Sequence, residues 1–177
     1  MRMTSLERGT ATDIHAEAFF LADHAAVENG KVYVNGGFVA RVGLPSYPAN
    51  VALAVVAVLY IPWRAYHQTH KFLITAEDAD GKEMPLRIEG DFQVGAAPDM
   101  KVGDPTIMPF AAVINALPIL GPGRYSFVLA VDGGEIDRWV FQAVQVVVPG
   151  YPAPPAMPPL SGGGRGPSDI PPLPPSR

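Results

Sequence analysis

Hydrophobic and polar side chains alternate through most of this chain, and glycine-containing dipeptides interrupt the alternation at short intervals. The alternation is clearest in residues 84–94, where apolar and charged residues occupy opposite parities. Successive side chains of a β-strand point to opposite faces of a sheet, so this period predicts strands with one wet face. The predicted strands are Ala16–Glu28, Lys31–Val42, Val51–Ile61, His70–Asp78, Met84–Val94, Phe110–Leu117, Tyr125–Val131 and Ile136–Val148.

Short turn signals connect these strands. Asn29-Gly30 and Asp132-Gly133 each favour a tight hairpin, because both residue types tolerate a positive φ. Gly36-Gly37 predicts a bulge inside the second strand. Asp80-Gly81 favours a hairpin turn over a calcium loop, since the later Glu of such a loop is missing. Eight short strands without an amphipathic helix indicate an all-β sandwich or barrel.

One corner of the chain narrows this choice. Residues 120–125 read Leu-Gly-Pro-Gly-Arg-Tyr, which resembles the Leu-x-Pro-Gly-x-Tyr corner of immunoglobulin-like and fibronectin-type sandwiches. The resemblance implies that the Tyr125 hydroxyl bonds back to the turn and has a structural role. The chain departs from true immunoglobulin domains because it lacks both core cysteines. We therefore expect an antiparallel immunoglobulin-like β-sandwich.

A wider resemblance spans residues 16–148. The segments that carry it are AEAFFLADHAAVENGKVYVNGG, AVVAVLYIPW, EDADGKEMPLRIEG, VGDPTIMPF and GPGRYSFVLAVDG. They are similar to a family of small bacterial proteins known only as a domain of unknown function. The resemblance implies a β-sandwich of about this length, and it brings no reaction, ligand or catalytic residue with it.

Composition divides the chain into three parts. Residues 149–177 hold 11 of the 20 prolines together with three consecutive glycines. Such a segment cannot bury enough apolar surface to offset its ordering entropy, so it is predicted to be a disordered tail with polyproline II stretches. Pro172–Arg177 fits a Pro-x-x-Pro-x-Arg ligand, although a spacing tail explains the same composition. We expect residues 1–15 to be a flexible leader and residues 16–148 to be the sandwich.

Charge and residue usage exclude several classes of function. The net charge is −4 and no Lys/Arg cluster occurs, which disfavours nucleic-acid binding. There is no cysteine, and the first residues lack a secretory pattern, so we expect a cytoplasmic protein. The longest apolar run is too short to cross a bilayer as a helix, and no membrane association is predicted. No cofactor or metal is expected, and the chain is predicted not to be an enzyme.

The connection Trp63–His70 groups two aromatic residues, two histidines and an arginine. Exposed on a loop, Trp63 and Tyr66 could stack on a sugar or anchor a protein partner. They could equally close the open end of the sandwich. His67 and His70 are three residues apart, yet two ligands do not make a structural zinc site.

Residues 51–61 are apolar on both faces, whereas a strand in a two-layer sandwich should alternate. The second face must be covered by another copy, a different protein, or the chain's own leader, tail or long loop. The sequence thus predicts a non-enzymatic protein-interaction or assembly module that binds a protein partner or itself. The alternative is a carbohydrate-type ligand binder that uses Trp63 and Tyr66. The predicted contact residues are Val56, Val58, Tyr60, Trp63, Tyr66, His67 and His70.

Overall fold

The computed structural model describes residues 13–147, which form two β-sheets packed face to face. Most of the predicted leader and the whole predicted tail lie outside the described residues. The described strands are β1 (His15–Glu28), β2 (Lys31–Gly37), β3 (Arg41–Leu44), β4 (Ala49–Ile61), β5 (His70–Glu77), β6 (Glu83–Phe92), β7 (Thr106–Ile119), β8 (Gly123–Val131) and β9 (Gly134–Gln145).

The first sheet has the strand order β2-β1-β4-β7, and all its neighbours are antiparallel. The second sheet has the order β3-β9-β8-β5-β6, in which only β3 and β9 run parallel. Within residues 13–147, helical structure is limited to one 3₁₀ turn at Trp63–Ala65. The all-β prediction is confirmed. The described part of the chain contains no helix that is long and apolar enough to cross a membrane.

The predicted strand Lys31–Val42 is wrong, because the chain divides there into β2 in the first sheet and β3 in the second. Gly36 has φ 62° and Phe38 has φ 63°, and these left-handed conformations turn the chain out of the first sheet. The predicted bulge at Gly36-Gly37 is absent, since β1 and β2 keep one register up to Gly37. The other seven predicted strands are found with shifted ends.

The predicted hairpin turns are confirmed. Both central residues have positive φ at Asn29-Gly30 (50° and 72°) and at Asp132-Gly133 (51° and 84°), as a type I′ turn requires. At the β5–β6 turn, Oδ1 of Asp78 accepts hydrogen bonds from two backbone N–H groups within the turn. The Asp78 carboxylate therefore stabilises this turn by accepting backbone hydrogen bonds.

The main core lies between the two sheets. Every second residue of the central strands points into it. Each of its large side chains contributes about 1.5–3 kcal/mol on burial. Tyr125 is buried here, and its hydroxyl donates a hydrogen bond to the Gly121 carbonyl over 2.9 Å. The largest fully buried side chains of this main core are Phe127, Phe141, Leu21, Leu59, Ile61, Ile74, Leu117, Ile119, Leu129 and Val55.

A second apolar cluster lies on the opposite face of the first sheet. Some Cα atoms of β2 and β7 lie within 8 Å of each other although β1 and β4 separate them in the sheet, so this sheet is strongly curled. Alanines on the curled face allow the close approach. The members are Phe20, Ala22, Ala25, Ala54 and Val56, with Ala18, Val32, Ala111 and Trp139 packed against them.

This cluster explains why residues 51–61 are apolar on both faces. Val56 has no exposed surface, so the expectation that it contacts a partner is wrong. Val58 is half-buried, and the ring of Tyr60, also half-buried, stacks on His15 at 4.6 Å. The second face of β4 is therefore covered to a large extent within the chain.

Candidate functional sites

The aromatic residues of the 63–70 connection close one end of the sandwich. Trp63 is half-buried and Tyr66 is only 6% exposed, with their ring centroids 4.9 Å apart. The Tyr66 hydroxyl lies 3.9 Å from the sulfur of Met100. Because the Tyr66 ring is buried, this geometry matches the end-closing interpretation and does not present the stacking platform of the sugar-binding alternative.

The two histidines of this connection occupy different environments. His67 is exposed with φ 60°, whereas His70 is 8% exposed. Nδ1 of His70 lies 2.7 Å from Oδ2 of Asp132, and Nε2 lies 3.0 Å from the carbonyl oxygen of Ala65. Residues 13–147 contain no group of three or more His, Asp or Glu side chains placed to hold a metal ion.

The partners of His70 fix its charge. A carbonyl and a carboxylate are both acceptors, and both ring nitrogens can donate to them only when the ring is protonated, so these partners favour the imidazolium form. Burial lowers the pKa of His70, but the hydrogen bonds to Asp132 and Ala65 and the charge of Asp132 outweigh this effect and raise the pKa overall. The hydrogen bond from His70, followed by that from the Lys71 N–H, lowers the pKa of Asp132. The ion pair with Asp132 thus stabilises the protonated form of His70, which has a structural role.

An open pocket of about 330 Å³ lies beside this ion pair, between the 3₁₀ turn and β9. Arg64 on its wall pairs with Asp13, and Nε2 of Gln68 donates to the Arg64 carbonyl over 2.7 Å. His70 and Asp132, which are hydrogen-bonded to each other, also line this pocket. Among the described residues, the polar side chains that line this pocket thus bond to one another. This arrangement is more typical of a structural contact than of a catalytic centre.

The outer face of the second sheet carries an ion-pair network around Arg138. Its guanidinium pairs with Glu77 and Glu135 and donates to the hydroxyl of Ser126. The hydrogen bond from Arg138 is the largest influence on the carboxyl of Glu77, and it lowers the pKa of that group. This network joins β5, β8 and β9 across their wet face.

Sequence reasoning missed a further site, at the crossing from β2 to β3. The ring of Phe38 is 65% exposed and stacks on Phe20 at 4.4 Å, with 13° between the planes. It also contacts Trp139 at 5.8 Å. Val34 is exposed beside Gly37, and the Phe20 ring approaches the same glycine. We call Val34, Phe38 and the half-buried Trp139, which lie over the buried ring of Phe20, the aromatic surface.

The backbone around Phe38 is held firmly. The N–H of Val39 donates to the Leu21 carbonyl over 2.9 Å, and Nε1 of Trp139 donates to the Val39 carbonyl over 2.8 Å. A left-handed conformation costs a non-glycine residue about 1–2 kcal/mol. The fold therefore keeps an exposed phenylalanine in a strained conformation. Nothing in the sequence marks this position, because Phe38 fits the alternation of a continuous strand.

These features define an all-β two-sheet domain with one exposed aromatic ring, Phe38, packed on two less exposed rings at a strand crossing. Residues 17–144 match the profile of a family of unknown function (DUF6941), and the chain belongs to that family. No curated protein matches the chain.

Among solved structures, the chain is similar to the Pseudomonas fluorescens alkylpurine DNA glycosylase AlkC bound to DNA containing an abasic site analog. The sequence identity is 11% and the TM-score is 0.38, over 75% of this chain and 30% of the glycosylase chain. A similarity at this level carries no argument about fold or function.

Proposed function

We propose that this chain is a non-enzymatic protein-interaction module that binds an extended segment of a protein partner through the aromatic surface and the neighbouring edge of β2. The observation that carries the proposal is Phe38, an exposed ring in a left-handed backbone conformation. Strained residues persist where the surrounding structure fixes them, and they cluster at functional sites. Large aromatic anchors of this kind dominate the binding energy of protein interfaces.

The four sheet edges differ in how well they are protected against pairing. Proline and charged side chains block an edge, as Pro109 and Pro118 do on β7 and as Pro85 with alternating charges does on β6. β3 has only four residues. β2 has seven residues without proline, and Val34 on it is exposed. This difference favours β2 as the edge to which a partner strand adds, at the part of β2 that the curled sheet does not bring close to β7.

The proposal includes an immunoglobulin-like arrangement of the sandwich. Taking β5, β8 and β9 as strands C, F and G places β4 and β7 as strands B and E in the opposite sheet. Tyr125 then lies near the start of strand F, after the crossing from E, where its hydroxyl bonds back to Gly121. We also assign the module to the cytoplasm, since a chain without cysteine needs no oxidising compartment.

The test compares the full chain with two charge substitutions. Phe38→Asp places a carboxylate at the aromatic surface, where Phe38 is 65% exposed, and Ile107→Asp places one at an apolar position on β7 that is 52% exposed. We expect a partner captured from the native lysate, or a second copy detected by sedimentation velocity, to be lost with Phe38→Asp and kept with Ile107→Asp. Equal binding by all three chains would refute the proposal, as would the absence of any association.

A further inference from the structure

We infer that the proline-rich stretch of residues 152–159 of this chain docks in cis on the aromatic surface. The inference rests on the proposed function, because it assigns the same surface an occupant from within the chain. That occupant would compete with a partner. The module would then bind its partner only when the C-terminal segment is displaced.

The chemistry of the two parts is complementary. Residues 152–159 read Pro-Ala-Pro-Pro-Ala-Met-Pro-Pro and carry no charge. Proline-rich segments favour the extended polyproline II helix and lose little entropy when they bind grooves lined by aromatic rings. Phe38 is 65% exposed and the ring of Trp139, half-buried, lies beside it with 60° between the two planes, so these rings offer an apolar aromatic surface. Proline also lacks the N–H that β2 pairing would need, so the stretch suits the rings rather than the strand edge.

The position of the chain end supports docking in cis. β3 and β9 run parallel, and Phe38 and Trp139 each lie three residues before the first β3–β9 pair, Arg41 with Gln142. The described chain ends at Val147, just beyond the ends of both strands. Val146 is bonded to Leu44 at 2.9 Å, and Val147 is 94% exposed. The segment that follows therefore leaves from the opposite end of the same strand pair.

The lengths match for a segment that turns back. Trp139 precedes Val147 by eight residues, which is about 26 Å along a strand. If the chain reverses direction at residues 148–150, Pro158 lies eight residues further on, which is about 25 Å in a polyproline II helix. A segment that returns beside β3, an edge strand, then brings Pro158 level with Trp139 and Phe38 and places Pro154 and Pro155 along the approach to them.

The consequence for partner binding is quantitative. If the docked form outnumbers the open form tenfold, the apparent Kd for the partner rises about tenfold. Substituting Pro154 and Pro155 by Asp removes the competitor and leaves residues 13–147 unchanged. We therefore expect that double variant to bind the partner more tightly than the natural chain.

The absence of cysteine makes a direct test possible. A single cysteine introduced by Ala156→Cys in the full chain carries a nitroxide spin label, and amide spectra of the ¹⁵N-labelled protein report which residues lie near it. We expect the signals of Phe38, Val39 and the Trp139 indole to be broadened. A label introduced by Ser176→Cys, far from the docking stretch, is the matched control and should leave them sharp.

A mixed sample separates docking in cis from docking between copies. Spin-labelled chain without ¹⁵N is added to ¹⁵N-labelled chain without the spin label, and we expect no broadening there. Broadening in the mixed sample, or none with the Ala156→Cys label, would overturn the inference. We expect both Pro154→Asp with Pro155→Asp and Phe38→Ala to abolish the broadening in the self-labelled sample.

The two proposals fail in different ways. If Phe38→Asp abolishes partner binding while the Ala156→Cys label broadens nothing near Phe38, the interaction function stands and the cis docking falls. If the broadening is present and no partner or second copy binds, the aromatic surface binds only the chain's own C-terminal segment, and the interaction function falls.

Discussion

His70 and Asp132 are 62 residues apart in sequence, yet Nδ1 of His70 lies 2.7 Å from Oδ2 of Asp132. Asp132 occupies the first position of the β8–β9 turn, with φ 51°, and His70 begins β5 in the same sheet. Oδ1 of the same carboxylate accepts the N–H of Lys71 over 2.9 Å. The ion pair therefore joins a hairpin turn to the adjacent strand.

This ion pair predicts that the domain loses stability as the pH rises above neutral. The pKa of His70 in the folded chain is raised above its ordinary value of 6.5. Its contribution is therefore fully present below about pH 6.5 and is lost as the pH rises through the folded-state pKa. Urea denaturation at a series of pH values from about 5.5 to about 9 should show the free energy of unfolding falling over this range.

Asp132→Asn is the sharpest control for that measurement. Asparagine tolerates the positive φ of the turn and can still accept from Lys71, but it has no charge to hold the imidazolium. We expect a flatter profile above about pH 6.5 in this variant. A profile as steep as that of the natural chain would show that another group causes the pH dependence.

The strands were predictable, while the contacts that join them were not. Period-two alternation located residues 84–94 because one face of that strand is exposed and the other is buried or half-buried. It could not show that β4 is buried on both faces by a curled sheet, since curling brings together strands that are distant in sequence. The same limit hid Phe38 and Trp139, which are a hundred residues apart and meet only through the β3–β9 pairing.

Removing the Tyr125 hydroxyl should destabilise the domain modestly. Tyr125→Phe keeps the buried ring and loses the hydrogen bond to the Gly121 carbonyl. A partly buried hydrogen bond of this kind is worth about 1 kcal/mol. Thermal unfolding should show a lower Tm for this variant, while Tyr33→Phe on the exposed part of β2 should leave the Tm unchanged. An unaltered Tm for Tyr125→Phe would mean that the corner bond adds nothing to stability.

Val56 provides a test of the second apolar cluster. Val56→Ala should cost about 1–2 kcal/mol through lost burial and the cavity left behind. Val56→Glu should unfold the domain, because a carboxylate there would be buried without a partner. Circular dichroism checks both variants against Val113→Glu, which lies exposed on β7 and should fold normally. A folded Val56→Glu chain would show that this face opens to solvent.

The strain at Phe38 can be measured by comparing two truncations of the same side chain. Phe38→Ala and Phe38→Gly both lose the stacking on Phe20 and the contact with Trp139. Only glycine adopts φ 63° without a steric cost, although it also has more conformational freedom in the unfolded chain. We expect the glycine variant to be more stable than the alanine variant by about 1 kcal/mol in urea denaturation. If alanine is as stable as glycine, the left-handed conformation carries no strain, and the main argument that Phe38 is held in place for binding is lost.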